Sequence, residues 1–351
     1  MQKRLLSIRT RQGASLTGFL FWLCLCLLAA CADDGTWALE HPDESGFCQA
    51  TLRLDVGGFV SGNATKAIVG GSDDENIIND IWVFQFDAET GVSLHEPVYL
   101  DNFNSNDIEV NLEQNSDGSQ SRICIVANTG DEYWVKNADG TTVEAFNHYD
   151  SFQEQAIPEE AAKPFLSTDI GNSTENGRAI PMSGTSKDMA ITSKCYVSVP
   201  LYRMFARVDV EVEDLSTIQQ LGMTIEKLYF SNIPAFCRVG TLESGDDAQK
   251  ATYPDDIWDE YNCGNTSRAI LYVPENLQGK VKDMTSKQEA DKESIPEHAL
   301  AICLEVSYEN GQKQHTYTVY PGLDTKNDFN VKRNHIYDVN LDIQNLPEST
   351  N

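Results

Sequence analysis

The sequence has few basic residues for its length. Its 351 residues include 26 Lys and Arg against 54 Asp and Glu, and the formal net charge at pH 7 is −28. No run of basic residues occurs beyond the first dozen positions. Because a strongly negative chain repels a phosphate backbone, nucleic acid is excluded as a partner. Hydrophobic residues make up 40% of the chain and aromatic residues 9%, which is enough for packed cores and excludes a disordered acidic chain.

The sequence also lacks the common catalytic and metal-binding motifs. Its six histidines are scattered without a His-Glu-x-x-His motif, and there is no Gly-x-Ser-x-Gly motif or phosphate-binding glycine loop. Carboxylate clusters such as Asp73-Asp74-Glu75 are frequent, but none matches a calcium-binding loop, and they are typical of solvated acidic loops. We therefore predict no enzymatic activity, no metal site and no cofactor. An enzyme whose two carboxylates converge in a cleft stays open as an alternative.

Long apolar runs are limited to one stretch near the N-terminus. Residues 1–30 contain four basic residues and no acid, and residues 16–30 are almost entirely apolar. A run of about 15 residues is shorter than the roughly 20 that a transmembrane helix needs. The arrangement is typical of a secretory signal peptide, so we predict that residues 1–30 are removed and that no transmembrane helix follows.

The signal peptide ends in the sequence LAAC at residues 28–31, which resembles the bacterial lipobox. In that motif the cysteine is acylated and becomes the new N-terminus. We expect Cys31 to carry acyl chains such as palmitate, which hold the protein at the outer membrane without a spanning helix. Asp33-Asp34 resemble the acidic signal that sends Bacteroidota lipoproteins to the cell surface. The alternative is an ordinary signal peptidase site with a nearby buried cysteine.

Nine cysteines are present, of which three lie at or before residue 31 and six remain: Cys48, Cys124, Cys195, Cys237, Cys263 and Cys303. An even number in an exported chain permits disulfides, and the absence of Cys-x-x-C argues against a zinc or redox site. Cys124 lies within an apolar run, which predicts a buried thiol. Cys237 and Cys263 flank one acidic, irregular segment and form the candidate disulfide.

Strict alternation of apolar and polar residues dominates the rest of the chain, and it predicts half-buried strands. The clearest alternating segments are residues 50–56, 208–212 and 337–343. The continuous apolar runs at 81–86 and 123–127 predict interior strands. Asn310-Gly311 between the alternating segments 302–308 and 315–319 predicts a β-hairpin.

Helical periodicity is scarce. Short helices are predicted within residues 142–163 and 284–293, whereas the polar segments 167–185 and 243–259 are predicted to be loops. Many short strands separated by turn residues predict an all-β fold built from β-sandwiches. The length suits two domains, and Arg203 stands between two strand segments at their predicted boundary.

Several short motifs together resemble those of the fimbrillins, the lipoprotein-derived subunits of the type V pili of Bacteroidales. They occur in the family's order and spacing, and they agree with the lipobox. The matching segments are residues 81–87 (IWVFQFD), 124–130 (CIVANTG), 180–184 (IPMSG), 203–208 (RMFARV), 320–321 (YP) and 333–339 (RNHIYDV).

The resemblance implies two tandem transthyretin-like β-sandwich domains after the lipoprotein signal peptide. Residues 31–66 would be a lipidated pro-segment, residues 67–203 the N-terminal sandwich, and residues 204–347 the C-terminal sandwich. In this family a protease removes the first strand, and a strand from a neighbouring subunit fills the groove, which is donor-strand exchange. Before exchange the removable strand covers an otherwise unpaired sheet edge.

Transferred to this chain, the resemblance makes Ala50, Leu52, Leu54 and Val56 the removable strand. The cut would fall between Lys66 and Ala67, where the family usually has Arg in the context Thr-Arg-Ala. Only eight residues, 344–351, follow the last predicted strand, whereas polymerising fimbrillins carry further donor strands there. The sequence therefore suggests a tip or minor subunit that accepts a strand and contributes to cell adhesion.

The expected partners are other pilus subunits through strand exchange, a host or bacterial surface receptor, and the outer membrane through the lipid. A pilus anchor subunit is one alternative. Another is a monomeric, surface-anchored lipoprotein that binds glycans. Such proteins present aromatic platforms, and the candidate residues are Trp82, Trp134, Tyr253, Trp258 and Tyr261.

Overall fold

The computed structural model describes most of the chain from residue 46 onward. The described residues are 46–61, 68–115, 118–131, 134–171, 177–212, 215–240, 257–258, 260–287, 292–308 and 311–342. Cys31, Lys66 and Ala67 lie outside the described residues. From Phe47 onward the chain forms one compact unit.

The described residues form twenty-one strands, which confirms the predicted all-β fold. The strands are β1 Phe47–Val56, β2 Phe59–Ser61, β3 Ile68–Val69, β4 Asp80–Asp87, β5 Val98–Asp101, β6 Asp107–Glu113, β7 Ser121–Ala127, β8 Phe165–Leu166, β9 Met182–Thr185, β10 Tyr196–Arg203, β11 Phe205–Val212, β12 Thr224–Ser231, β13 Ile233–Pro234, β14 Ile257–Trp258, β15 Tyr261–Asn262, β16 Arg268–Pro274, β17 Asn276–Lys280, β18 Ala301–Tyr308, β19 Lys313–Val319, β20 Asp328–Val331 and β21 His335–Leu341. The helices are α1 Tyr149–Glu154, α2 Glu159–Ala162 and α3 Leu215–Gln220, with 3-10 turns at Asp74–Asn76, Glu144–Asn147, Ser167–Asp169 and Lys292–Ser294.

The first sandwich is a seven-stranded sheet in the order β5-β4-β7-β9-β10-β1-β6. Side chains from β1, β6 and β10 pack with side chains from β4 and β7 in one apolar cluster, which we call the first core. Because strands from both ends of the sheet contribute to the same core, the sheet folds over this cluster. The apolar residues of β1, β6 and β10 recur at every second position, so one face of each strand is buried.

The second sandwich consists of a six-stranded sheet, β3-β2-β21-β11-β16-β8, and a four-stranded sheet, β15-β12-β18-β19. The second core lies between them and includes Val208 and Val210 of β11 together with Leu304 and Val306 of β18. β18 and β19 form the antiparallel hairpin that Asn310-Gly311 predicts. Two further strand pairs, β13-β14 and β17-β20, complete the sheets within the described residues.

A third apolar cluster, the junction cluster, connects the two sandwiches. It combines residues of β4 and β7, such as Phe84 and Val126, with Phe146 and Phe152 from the helical segment and with Phe205 at the start of β11. Apolar packing is therefore continuous across the predicted boundary near Arg203. The division into residues 67–203 and 204–347 and the transthyretin-like topology stay predictions.

Three local predictions were wrong. Residues 257–258 were predicted to be part of a loop but form β14, which pairs with β13. Residues 182–185 were predicted to be part of a loop but form β9, which bonds to β7 and β10. Residues 284–287 are not helical, and only a 3-10 turn follows at Lys292–Ser294. The short helices predicted within 142–163 are present as α1 and α2.

Candidate strand-exchange site

β1 lies inside the first sheet, between β6 and β10. It pairs antiparallel with β6, where Leu52 is opposite Ile108, and parallel with β10, where Leu52 is opposite Val197. β1 is therefore hydrogen-bonded on both sides and does not lie at a sheet edge. Its removal would expose two strand edges and the apolar slot between them.

The buried face of β1 consists of the residues that the alternation predicts. Ala50 and Leu52 are 0% exposed and Leu54 is 1% exposed, whereas Val56 at the end of the strand is half-buried. Burying a leucine or valine side chain contributes about 1.5–3 kcal/mol. A strand that replaces β1 would need apolar side chains at the same alternate positions.

The opposite face of β1 carries exposed polar contacts. The Arg53 guanidinium donates to both carboxylate oxygens of Asp107 at 2.9 and 3.0 Å, and Gln49 Nε2 donates to Glu109 Oε2 at 2.8 Å. The hydrogen bond from Arg53 lowers the pKa of the Asp107 carboxyl. Such exposed pairs contribute little to stability, so the buried face holds β1 in place.

The chain after β1 crosses to the second sandwich, and Arg203 at the end of β10 forms hydrogen bonds at this crossing. Arg203 is 0% exposed, and its Nη1 donates to the carbonyl oxygen of Gly57 at 2.7 Å and to Asn334 Oδ1 at 3.2 Å. Asn334 Nδ2 in turn donates to the carbonyl oxygen of Gly58 at 2.8 Å. β2 then pairs in parallel with β21, so the predicted pro-segment contributes a strand to each sandwich.

Glu75 lies at the centre of the same junction. It is 2% exposed, and its carboxylate accepts hydrogen bonds from the Tyr272 hydroxyl at 2.6 Å, the Ser72 backbone N–H at 2.6 Å and Arg207 Nη1 at 3.2 Å. Burial raises the pKa of the Glu75 carboxyl, but these hydrogen bonds and the charge of Arg207 outweigh it, so the pKa lies below its ordinary value. Glu75 is therefore a buried structural anion, and the prediction that its cluster is solvated was wrong for this residue.

The cysteines of the candidate disulfide are free thiols in this structure. Cys237 lies in the junction cluster, whereas Cys263 packs against the second core. The two thiols thus lie in different apolar clusters, and their pairing stays a prediction. Cys124 is 0% exposed, as the apolar run around it predicts.

The described tryptophans do not form an aromatic platform. Trp82 is 5% exposed, and its Nε1 donates to the carbonyl oxygen of Gly130 at 2.9 Å. Trp134 packs edge-on against Phe146 in the junction cluster. Tyr261 is half-buried against the second core. Tyr253 and the Trp258 side chain lie outside the described residues.

The described part of the chain contains no group of three or more His, Cys, Asp or Glu residues placed to hold a metal ion. None of its helices has the length and apolar content needed to cross a bilayer. The described features that bear on function are the contacts of β1 and β2 and the strand edges that their removal would expose.

Comparisons with known proteins concern the fold. A candidate cell adhesion protein from Parabacteroides distasonis ATCC 8503 is 17% identical with a TM-score of 0.51, and the match covers 85% of this chain and 91% of that chain. The two chains share a fold. The tip fimbrial protein Mfa3 from Porphyromonas gingivalis, with a C-terminal truncation, is 15% identical with a TM-score of 0.48, over 83% of this chain and 94% of that one.

The fimbrial anchor protein Mfa2 from Porphyromonas gingivalis is also similar, at 12% identity and a TM-score of 0.35, over 78% of this chain and 82% of that one. A sequence family described as a domain of unknown function, DUF4906, matches residues 271–341. No curated protein matches the sequence. Fimbrial and cell adhesion proteins from Porphyromonas gingivalis and Parabacteroides distasonis are thus among the structures similar to this chain.

Sequence reasoning missed the residues that form hydrogen bonds to the chain between β1 and β2. Arg203 and Asn334 both lie in the motifs that carry the family resemblance, yet neither was expected to contact β1 or β2. A signal was available for both, since charged or amide residues in otherwise apolar motifs are typical of buried hydrogen-bonding positions.

Proposed function

We propose that this protein is a non-enzymatic subunit of a type V-like pilus on the cell surface, where it contributes to cell adhesion. One observation carries the proposal: β1 is a complete strand inserted between β6 and β10, with Ala50, Leu52 and Leu54 buried in the first core. In the assembled pilus a strand from a neighbouring subunit takes the place of β1.

The energetics favour replacement over simple loss of the strand. Without β1 the first core would be open to water, and β6 and β10 would each present unpaired N–H and C=O groups. A donor strand restores both sets of backbone hydrogen bonds and fills the positions of the alternate side chains. The groove therefore accepts any extended segment that has small or branched apolar residues at every second position.

Processing is the second part of the proposal. Cys31 carries lipid and brings the precursor to the outer membrane, and a protease then cuts between Lys66 and Ala67. The cut separates β1 and β2 from the rest of the chain. Because both strands belong to the pro-segment, the outgoing segment vacates one position in each sandwich.

Within the pilus we propose that the protein is a tip or minor subunit. Immunogold labelling of isolated fibres tests this position. Label confined to fibre ends or to sparse sites is the expected result, whereas continuous label along the fibres would identify a main stalk subunit and label at the cell-proximal end an anchor.

Peptide mapping of the assembled form tests the proposal as a whole. Fibres are sheared from cells, the subunit is isolated, and its N-terminus is determined by mass spectrometry. We expect a chain that begins at Ala67 and lacks residues 47–61, while the cell-associated precursor keeps them together with a lipidated Cys31. A fibre-bound chain that retains residues 47–61 would contradict strand exchange at this groove.

A further inference from the structure

Two cysteines lie at the adjoining ends of the neighbouring strands β1 and β10. Cys48 is in β1, and Cys195 immediately precedes β10, the parallel neighbour of β1. The pairing of Thr51 with Tyr196 sets the register, and the Thr51 backbone N–H donates to the carbonyl oxygen of Cys195 at 2.9 Å. Cys48 belongs to the first core and Cys195 packs against it. The neighbouring Cys195 contributes to the raised pKa of the Cys48 thiol.

We propose that Cys48 and Cys195 are a disulfide site that links β1 covalently to the retained part of the first sandwich. Both thiols are free in this structure, which represents the reduced form. A chain that carries a secretory signal passes into an oxidising compartment, where juxtaposed thiols are converted to disulfides.

The other described cysteines have different neighbours. Cys124 Sγ lies 3.6 Å from Thr185 Oγ1, and Cys303 Sγ lies 3.7 Å from Thr318 Oγ1. Cys237 Sγ donates to the carbonyl oxygen of Met204 at 3.5 Å. Cys124, whose neighbour is a hydroxyl, provides a matched control at a buried position.

The reaction is a thiol–disulfide exchange with a disulfide-containing oxidant, either a small-molecule disulfide or the oxidised form of a dithiol oxidase. The Cys195 thiolate attacks one sulfur of the oxidant, which forms a mixed disulfide and releases the other sulfur as a thiolate. The Cys48 thiolate then attacks the Cys195 sulfur and releases the second thiolate of the oxidant. In total two thiols lose two protons and two electrons, and the oxidant's disulfide is reduced to two thiols.

The solvent exposure of the two cysteines determines which thiol reacts first with the oxidant. Cys195 is partly exposed, whereas Cys48 is 7% exposed. Burial, together with the neighbouring Cys195, raises the pKa of the Cys48 thiol to about 11. Cys195 therefore reacts first with the external oxidant, and Cys48 closes the bridge within the protein.

The bridge would have a consequence for assembly, and this consequence rests on the proposed function. A backbone cut between Lys66 and Ala67 would leave the pro-segment attached through Cys48 until the bridge is reduced. Strand exchange would then require both proteolysis and reduction. The existence of the bridge itself does not depend on any role in a pilus.

Peptide mapping tests the bridge. The full chain, exported from its natural host, is treated with oxidised glutathione, alkylated with N-ethylmaleimide and digested without reductant. We expect a linked peptide pair that contains Cys48 and Cys195. The pair should be lost in Cys48→Ser and in Cys195→Ser and kept in Cys124→Ser. Quantitative alkylation of both cysteines after oxidant treatment, or a linkage of either to another cysteine, would overturn the proposal.

Denaturing gels test whether the bridge keeps the pro-segment attached after the backbone is cut. A Lys66→Arg variant is cut briefly with an Arg-specific endoprotease and run with and without dithiothreitol. We expect the pro-segment to separate only in the reduced lane, and in both lanes when Cys48→Ser is added. Separation without reductant in the cut Lys66→Arg chain would refute the claim that the bridge retains the pro-segment. If the bridge forms but the cut and reduced protein never takes up a donor strand, the proposed function fails and the disulfide site stands.

Discussion

The guanidinium of Arg203 lies 4.0 Å from the centre of the Phe59 ring. Arg203 ends β10 of the first sandwich, and Phe59 begins β2 in the second. Phe59 is 0% exposed, so the ring and the guanidinium are buried against each other. Such cation–π contacts are strongest when water is excluded. Residues 47–61 are therefore held in both sandwiches, by the insertion of β1 in the first and by Arg203, Asn334 and the pairing of β2 with β21 in the second.

Replacement of Arg203 should weaken the junction strongly. Arg203→Met leaves the carbonyl oxygens of Gly57 and Glu75 without their buried donor. Each unsatisfied buried acceptor costs about 1–3 kcal/mol, so we expect a loss of about 2–5 kcal/mol in the free energy of unfolding, measured by urea denaturation. Arg268→Met, at an exposed position of β16, is the control and should change stability little. Equal effects of both variants would show that Arg203 is not a structural anchor.

Truncation of the buried face of β1 should destabilise the first sandwich. Leu52→Ala removes a side chain that is 0% exposed and leaves a cavity in the first core. The expected loss is about 2–5 kcal/mol, measured by denaturant unfolding of the uncut chain. Arg53→Ala, on the exposed face of the same strand, should have a much smaller effect. A stable Leu52→Ala variant would mean that β1 contributes little to the core.

Gly184 should not tolerate a side chain. It lies in β9 between β7 and β10, and an added Cβ would be 2.0 Å from the carbonyl oxygen of Pro200. Gly184→Ala must shift backbone, so we expect a loss of about 1–3 kcal/mol in thermal or chemical unfolding. At Gly70 an added Cβ meets nothing within 4 Å, so Gly70→Ala is the matched control.

Stability should fall in acid through Glu75. Its folded-state pKa is lowered, whereas the unfolded carboxyl titrates near its ordinary value of about 4.3. The stabilisation is therefore fully present above that value and is lost as the pH falls through the lower, folded-state pKa. Glu75→Gln should lower stability at pH 7 and reduce the dependence on pH below about 4.3. Asp74→Asn, at an exposed neighbouring position, controls for the loss of a carboxylate. An unchanged pH profile in Glu75→Gln would contradict the assignment.

The strands with one buried face were predictable from sequence. Period-two alternation identified the core-facing residues of β1 and most of those of β11 and β21, because each strand packs alternate apolar side chains on a core. It did not predict that Phe205 and Ile336 are buried in the junction cluster. β9 was not predictable in this way. Its sequence, Met-Ser-Gly-Thr, has little strand propensity, and its pairing with β7 and β10 determines its conformation.

The candidate site was predictable only in part. The residues of β1 were identified, but not its position between two strands, because β6 and β10 lie far along the chain. The contact of Glu75 with Arg207 spans 132 residues, and an acidic cluster in sequence gives no sign that one of its members is buried. Local patterns show which face of a strand is apolar, whereas partners are decided by tertiary packing.

Photo-crosslinking from β6 tests the central claim most directly. Ile108 lies opposite Leu52, so a diazirine amino acid at position 108 reports which strand occupies the groove. In assembled fibres we predict crosslinks from position 108 to a strand of a second polypeptide, and in the precursor to residues of β1 in the same chain. Position 109, where Glu109 is exposed, serves as the control. Crosslinks from position 108 to the chain's own β1 in assembled fibres would contradict strand exchange.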